Sequence, residues 1–156
     1  MERQIRKHQN TLIVIGTGIL LFTLWSVIKT IASFNMHIAG LYSSPAEGFV
    51  IMFILVILLG VDTLLRVFTA LKARSAGYKK NGKISYIFTA IILILIHITA
   101  IVYYLMNFSA SVDSVIDTVV TCVIEGTGIV MTLDLIYSGI RLKKLLGSKR
   151  EAGESV

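Results

Sequence analysis

Residues 114–139, SVIDTVVTCVIEGTGIVMTLDLIYSG, are the stretch that decides the fold. Along it, one residue in every three or four falls on a single stripe of a helix, because the spacing alternates four and three. Seven of the eight stripe residues are small or polar, and one is an acid: Ser114, Thr118, Thr121, Glu125, Gly128, Thr132, Leu135 and Gly139. The other faces are mainly Val, Ile and Leu. A helix with this pattern is typical of a lipid bilayer, with its polar seam turned to other helices or to water.

The composition of the whole chain agrees with a membrane protein. Of 156 residues 55% are hydrophobic, and the mean hydropathy is +0.81, which is high for a soluble domain. The single cysteine, Cys122, excludes an intramolecular disulfide. The net charge is +6, but the basic residues form three clusters that each flank an apolar run. That distribution indicates membrane topology and not a nucleic-acid groove.

Four apolar runs predict an all-α integral membrane protein, a four-helix transmembrane bundle made of two antiparallel hairpins. The spans are about 11–34, 46–72, 84–106 and 113–141, within one domain, 1–150, followed by a flexible tail, 151–156. Ser44, Pro45, Ala46 and Glu47 read as a capping box that begins the second helix. Residues 1–10 are expected to be a tail, 35–44 a loop and 72–83 a turn, since the last contains Gly77 and an Asn81-Gly82 pair.

The charge distribution predicts the orientation. The start of the chain, the middle connection and the end hold three, five and five Lys or Arg residues, and the two other connections hold none. Positive segments stay in the cytoplasm, so both termini are expected inside. The Ile-rich composition favours the cytoplasmic membrane of a bacterium. The basic inner face predicts contact with anionic lipid or an acidic partner.

Glu125 and His97 lie near the middle of spans four and three. A bare carboxylate is costly in hydrocarbon, so Glu125 is expected to be protonated, paired or hydrated. A Glu125–His97 pair explains both residues and is able to carry a proton, with Thr121 and Thr118 continuing the path. The alternative is structural: Glu125 bonds to Ser or Thr, and His97 to a backbone carbonyl.

A second seam runs along the first span: Gly16, Ile19, Thr23, Ser26, Thr30 and Ser33. Its simplest interpretation is that spans one and four pack closely through small residues, with hydroxyls bonding across the interface or to their own backbone. The alternative is that the two seams line a hydrated path.

Two further charge clusters are predicted. Near the inner surface, Asp62 and Arg66 are four residues apart and form a same-helix ion pair, and Asp134 on span four is a candidate third member. The cluster is either a clamp between spans two and four or a gate or ligand site. Near the outer surface, Lys29 either extends alone to the interface or pairs with Asp117. Asp113 and Asp117 begin span four at the same level, where acids favour a helix N-terminus.

No catalytic or cofactor signature is present, so neither a cofactor nor a metal is predicted. His8 and His37 fall in the predicted tail and loop, far from His97, which makes a metal site unfavourable. The aromatic residues are interpreted as membrane-interface or packing residues: Trp25, Tyr42, Tyr86, Tyr103 and Tyr104.

Three functions remain open. The first is a non-catalytic membrane subunit or scaffold, whose helices assemble through small and polar seams, alone or with a partner membrane protein. The second is a homo-oligomeric transporter or channel for ions or protons that uses Glu125 and His97. The third and least favoured is an intramembrane enzyme that modifies a lipid, because the ionisable residues are spread over different depths.

Overall fold

The structure, a computed structural model, describes residues 1–37, 45–78, 84–106 and 112–151; the side chains of 29–37, 45–49, 51, 52, 55, 112–114, 117, 150 and 151 are outside this description. Within these ranges the chain is all helical. The four helices are α1 (Glu2–His37), α2 (Pro45–Tyr78), α3 (Tyr86–Met106) and α4 (Val112–Glu151). The tail predicted at 151–156 lies, after Glu151, outside the described residues.

Helix α1 begins well before the first apolar run. The expectation that residues 1–10 form a tail is wrong, because the helix starts at Glu2 and includes His8, and it continues to His37. Arg, Lys and Gln are good helix formers, and an acid at Glu2 in the first turn complements the helix dipole. The helix therefore extends beyond the residues that hydrocarbon requires.

Helix α2 begins at Pro45, where the capping box predicts a helix start. It then continues into the first part of the expected turn, 72–83, and ends at Tyr78, so Gly77 is a helical residue. A Cβ added to Gly77 would lie 2.9 Å from the backbone oxygen of Gln9 and 2.8 Å from Cγ1 of Ile13. Gly77 thus serves close approach between α1 and α2, and a turn interpretation of this glycine is wrong.

The α1–α2 contact rests on small residues of α2. Ala70 and Ala73 are fully buried, and a Cβ at Gly16 would lie 2.9 Å from the oxygen of Ala70. The predicted packing of the first seam on span four is not found at Gly16, which faces α2. Gly18, which is not a member of the seam, faces α4, since a Cβ there would lie 2.7 Å from Cε of Met131. Periodicity predicts a single partner helix for this seam because it identifies a face of a helix but does not show which helix packs on that face.

Helices α1 and α2 pack along each other, as do α3 and α4, and α1 also packs on α4. Contacts between α2 and α3 are fewer, and α2 barely touches α4. The fully buried side chains include Leu12, Tyr86, Leu93, Leu135 and Leu142. At one end of the molecule Lys149 Nζ lies 3.4 Å from Glu2 Oε1, which places the start of α1 beside the end of α4.

The outer surface is apolar. Large hydrophobic side chains are exposed on all four helices, among them Leu21, Leu64, Phe88 and Val130. Three segments of the described residues are long and apolar enough to cross a membrane: Glu2–Ile28, Tyr86–Met106 and Thr118–Lys149. The predicted second span, 46–72, falls on α2, several of whose first side chains are outside the described residues. The chain is therefore a helical protein of membrane character.

Candidate functional site

His97 and Glu125 meet where α3 packs on α4. Nδ1 of His97 contacts Oε2 of Glu125, and either group donates the shared proton according to which one carries it. The His97 side chain is 4% exposed and that of Glu125 is 16% exposed. This contact, called here the histidine pair, satisfies both polar groups inside the helix interface. Transfer of a proton from the acid to the imidazole would leave the net charge of the pair unchanged.

Gly128 is the residue that admits the imidazole. A Cβ at Gly128 would lie 2.7 Å from Cε1, 2.8 Å from Nε2 and 3.2 Å from Nδ1 of His97. The ring therefore lies against the backbone of α4. Because Gly128 is three residues after Glu125, both face α3. One turn of α4 thus supplies both the backbone surface that the His97 ring contacts and the carboxylate that hydrogen-bonds to it.

The other described residues of the α4 stripe are buried on the same face as this pair. Thr118 and Thr121 are buried toward the start of the helix, and Thr132 is buried toward its end. The Thr132 hydroxyl donates to the backbone oxygen of Gly128 at 2.8 Å. In the contacts described for this part of the chain, neither Thr118 nor Thr121 bonds to Glu125. The stripe is thus an interior face of the chain.

Asp62 and Arg66 of α2 form a second pair, called here the arginine pair. Arg66 Nε donates to Asp62 Oδ2 at 2.8 Å, and the two side chains are 9% and 22% exposed, arginine first. The other carboxylate oxygen, Asp62 Oδ1, is buried without a hydrogen-bond partner. Further along the same face, the Thr69 hydroxyl donates to that of Thr89 on α3 at 2.8 Å.

Asp134 stands apart from the arginine pair. It follows Glu125 by nine residues, which is half a turn out of phase at about 100° per residue, and it is exposed. Asp134 acts electrostatically on His8 of α1, as Lys7 and Arg141 do. The structure therefore brings two of the three predicted inner residues together and leaves the third on another face of α4.

The predicted outer cluster is not described. The side chains of Lys29, Asp113 and Asp117 lie outside the described residues. Among the residues that are described, no group of three His, Cys, Asp or Glu side chains is arranged to hold a metal ion.

Tyr86 is the residue whose role the sequence interpretation underestimated. It is 1% exposed, and a Cβ at Gly139 would lie 2.1 Å from its Oη and 3.1 Å from its Cζ. The hydroxyl is buried without a hydrogen-bond partner. The signal was present in the spacing: Tyr86 precedes His97 by the same eleven residues that separate Gly128 from Gly139. Eleven residues are slightly more than three turns, so the two rings lie on one face of α3 and the two glycines on one face of α4.

Replacing Gly128 with alanine is expected to destabilise the protein by about 1–3 kcal/mol, because the added methyl forces the His97 ring off a packed backbone. Gly126, two residues earlier, is the matched control, since a Cβ there meets nothing within 4 Å. Gly126→Ala is expected to be neutral or stabilising by up to about 1 kcal/mol through helix propensity. Unfolding of both variants in mixed detergent micelles measures the difference. Equal stability of the two would contradict the seating of His97 on Gly128.

No known protein family, curated protein or solved structure matches the chain. Its function is therefore argued from its own residues.

Proposed function

We propose that the chain is a four-span membrane protein with both termini in the cytoplasm of a bacterial cell. Three apolar segments support it, and α2 supplies the fourth span. The Glu2–Lys149 contact supports an even number of crossings, because the start of α1 lies beside the end of α4. The three, five and five basic residues on one side give the orientation.

A labelling experiment tests this topology. In a Cys122→Ala background, single cysteines are introduced at Gln4 and Ser148. Both are expected to react with a membrane-impermeant maleimide only after the membrane is permeabilised and the reagent reaches the cytoplasmic face. Reaction of either one in intact cells would overturn the proposed orientation.

For the activity, we propose a non-catalytic membrane subunit or scaffold. The observation that carries this proposal is the use of the α4 stripe inside the chain. Glu125 and Gly128 receive His97, and Gly139 receives Tyr86. Residues committed to packing α3 on α4 are not free to line a conducting path. The polar seam then serves to hold the helices in one register.

The partner of such a subunit follows from its surfaces. Exposed basic side chains at the ends of the helices fit anionic lipid head groups or an acidic segment of a partner: Arg3, Arg6, Lys7, Lys72, Lys143 and Lys144. The exposed apolar sides of the helices fit acyl chains, a second copy of the chain or a partner membrane protein.

A second candidate is a proton-coupled transporter or channel built as a homo-oligomer. The specific observation in its favour is the direct contact of an imidazole with a carboxylate inside the membrane segment, since intramembrane ionisable pairs serve as proton relays in many transporters. The partial exposure of Glu125 adds to this candidate.

Glu125→Gln separates the two candidates, because glutamine keeps the shape and an acceptor but cannot exchange a proton. For a scaffold, the wild-type protein in liposomes is expected to give no proton flux above protein-free liposomes, and Glu125→Gln to retain the wild-type assembly by native mass spectrometry. Glu2→Gln is the control, since Glu2 is an exposed acid. Flux in the wild type that Glu125→Gln abolishes and Glu2→Gln retains would overturn the scaffold and establish the transporter.

A further inference from the structure

The arginine pair and the histidine pair belong to the same level of the molecule. Thr69 of α2 bonds Thr89 of α3, and these helices run in opposite directions. Counting seven residues back from Thr69 reaches Asp62, and counting seven forward from Thr89 reaches Ile96. Since each residue advances a helix by about 1.5 Å, Asp62 lies level with the residue next to His97.

A second route through α1 gives the same answer. Gly16 lies against both Ala70 and Arg74. Eight residues further along α1 and eight residues back along α2 therefore bring residue 24 level with the turn from Asp62 to Arg66. Gly18 lies against Met131, so six residues along α1 and six back along α4 bring residue 24 level with Glu125. Two independent sets of contacts thus place the arginine pair within about one helical turn of the depth of Glu125, which differs from the inner-surface position expected for Asp62.

The groups at this depth come from all four helices. Helix α2 contributes Asp62 and, one turn away, Arg66. Helices α3 and α4 contribute the histidine pair. Helix α1 contributes Thr23, which is buried and whose hydroxyl donates to the backbone oxygen of Ile19. The level therefore contains two carboxyl groups, one guanidinium and one imidazole.

The unsatisfied group of this level is Asp62 Oδ1. It is buried and has no donor, while Oδ2 already accepts from Arg66. A buried carboxylate oxygen without a hydrogen bond is unfavourable in an apolar setting, because it has lost water without gaining another donor. Polar groups of this kind are satisfied by ordered water wherever other polar partners are near.

We propose that Asp62, Arg66 and the histidine pair form one hydrated layer that binds water and exchanges protons with it. Water bonded to Asp62 Oδ1 reaches the partly exposed carboxyl of Glu125, and through it the imidazole of His97. The proton leaves one carboxyl or imidazole for water and returns to the same set of groups, so no other reactant is needed. This inference rests on the proposed four-span arrangement and not on the choice between scaffold and transporter.

The test is the contact between water and the His97 ring in liposomes. Protein labelled with ¹⁵N-histidine is studied by solid-state NMR with magnetisation transferred from water, and the His97 signal is identified by its loss in His97→Gln. The wild type is expected to show transfer to the ring. Asp62→Leu is expected to reduce it several-fold, whereas Asp62→Asn, which keeps an acceptor oxygen, retains most of it. Asp134→Leu is the control, since Asp134 is exposed and out of phase with the layer.

Absence of water transfer to His97 in the wild type, or equal transfer in Asp62→Leu and the wild type, would overturn the layer. Asp62→Leu leaves Arg66 without its ion-pair partner. If that variant fails to fold, the double variant Asp62→Leu/Arg66→Leu removes both charges, and the same reduction of water transfer to His97 is expected in it. Because the readout is hydration, it is independent of the flux that tests the proposed function. A hydrated layer in a protein without flux would leave the scaffold proposal intact.

Discussion

Replacing Gly139 with alanine is expected to destabilise the protein by about 2–3 kcal/mol, at the upper end of what overpacking a core position costs. The new methyl would lie 2.1 Å from the Tyr86 hydroxyl oxygen, the shortest distance at any described glycine. The Tyr86 ring is fully buried, so it has no free space into which to swing. Relief requires that α3 and α4 separate.

Tyr86→Phe supplies the control for this prediction. Phenylalanine removes the oxygen that clashes and also removes a buried hydroxyl without a partner, so Tyr86→Phe alone is expected to be neutral or stabilising. Combined with Gly139→Ala it is expected to restore most of the lost stability. Unfolding of the four proteins in mixed micelles completes a double-mutant cycle. Additive effects of the two changes would contradict the contact.

The histidine pair carries the second large effect. Glu125→Leu is expected to cost about 3–5 kcal/mol, because removal of one member leaves the other polar group buried without a partner. His97→Leu is expected to cost a similar amount. The double variant Glu125→Leu/His97→Leu replaces the whole pair by apolar groups and is expected to lie close to the wild type.

The same unfolding measurement on the two single variants and the double variant decides this prediction. A double variant as unstable as the sum of the single variants would show that each residue acts alone. Glu125→Gln provides the mild member of the series, since an amide still bonds an imidazole and is expected to cost about 1 kcal/mol.

The sequence predicted several elements of the fold through residues with a direct physical meaning. Pro45 after a serine predicts a helix start, and α2 begins there. The third apolar run ends at Met106, as α3 does. The alternation of four and three along the last apolar stretch predicts one distinct face of α4, and its described members are buried or partly buried.

Other features were beyond the reach of sequence patterns. In the sequence, the basic segments are interpreted as a tail and a turn because charged residues mark the end of a hydrocarbon span. Charged residues do not end a helix, however. Helix α4 continues ten residues past the expected span, to Glu151. Ala70 and Ala73, on the face of α2 that packs on α1, are small apolar residues, and they carry no polar group that would mark this face as a packing surface in the sequence. The depth of Asp62 depends on the register between helices, which only contacts such as Thr69 with Thr89 reveal.

The two contacts of an aromatic ring with a glycine fix the register between α3 and α4. His97 and Tyr86 are seated eleven residues apart on one helix, against Gly128 and Gly139 at the same interval on the other. A slide of one turn, about 5.4 Å, would have to withdraw both rings at once and press them on bulkier neighbours. Helix α2 meets α3 through fewer contacts, whereas α1 also packs on α4. Any large motion of this protein is therefore expected to leave the register between α3 and α4 unchanged.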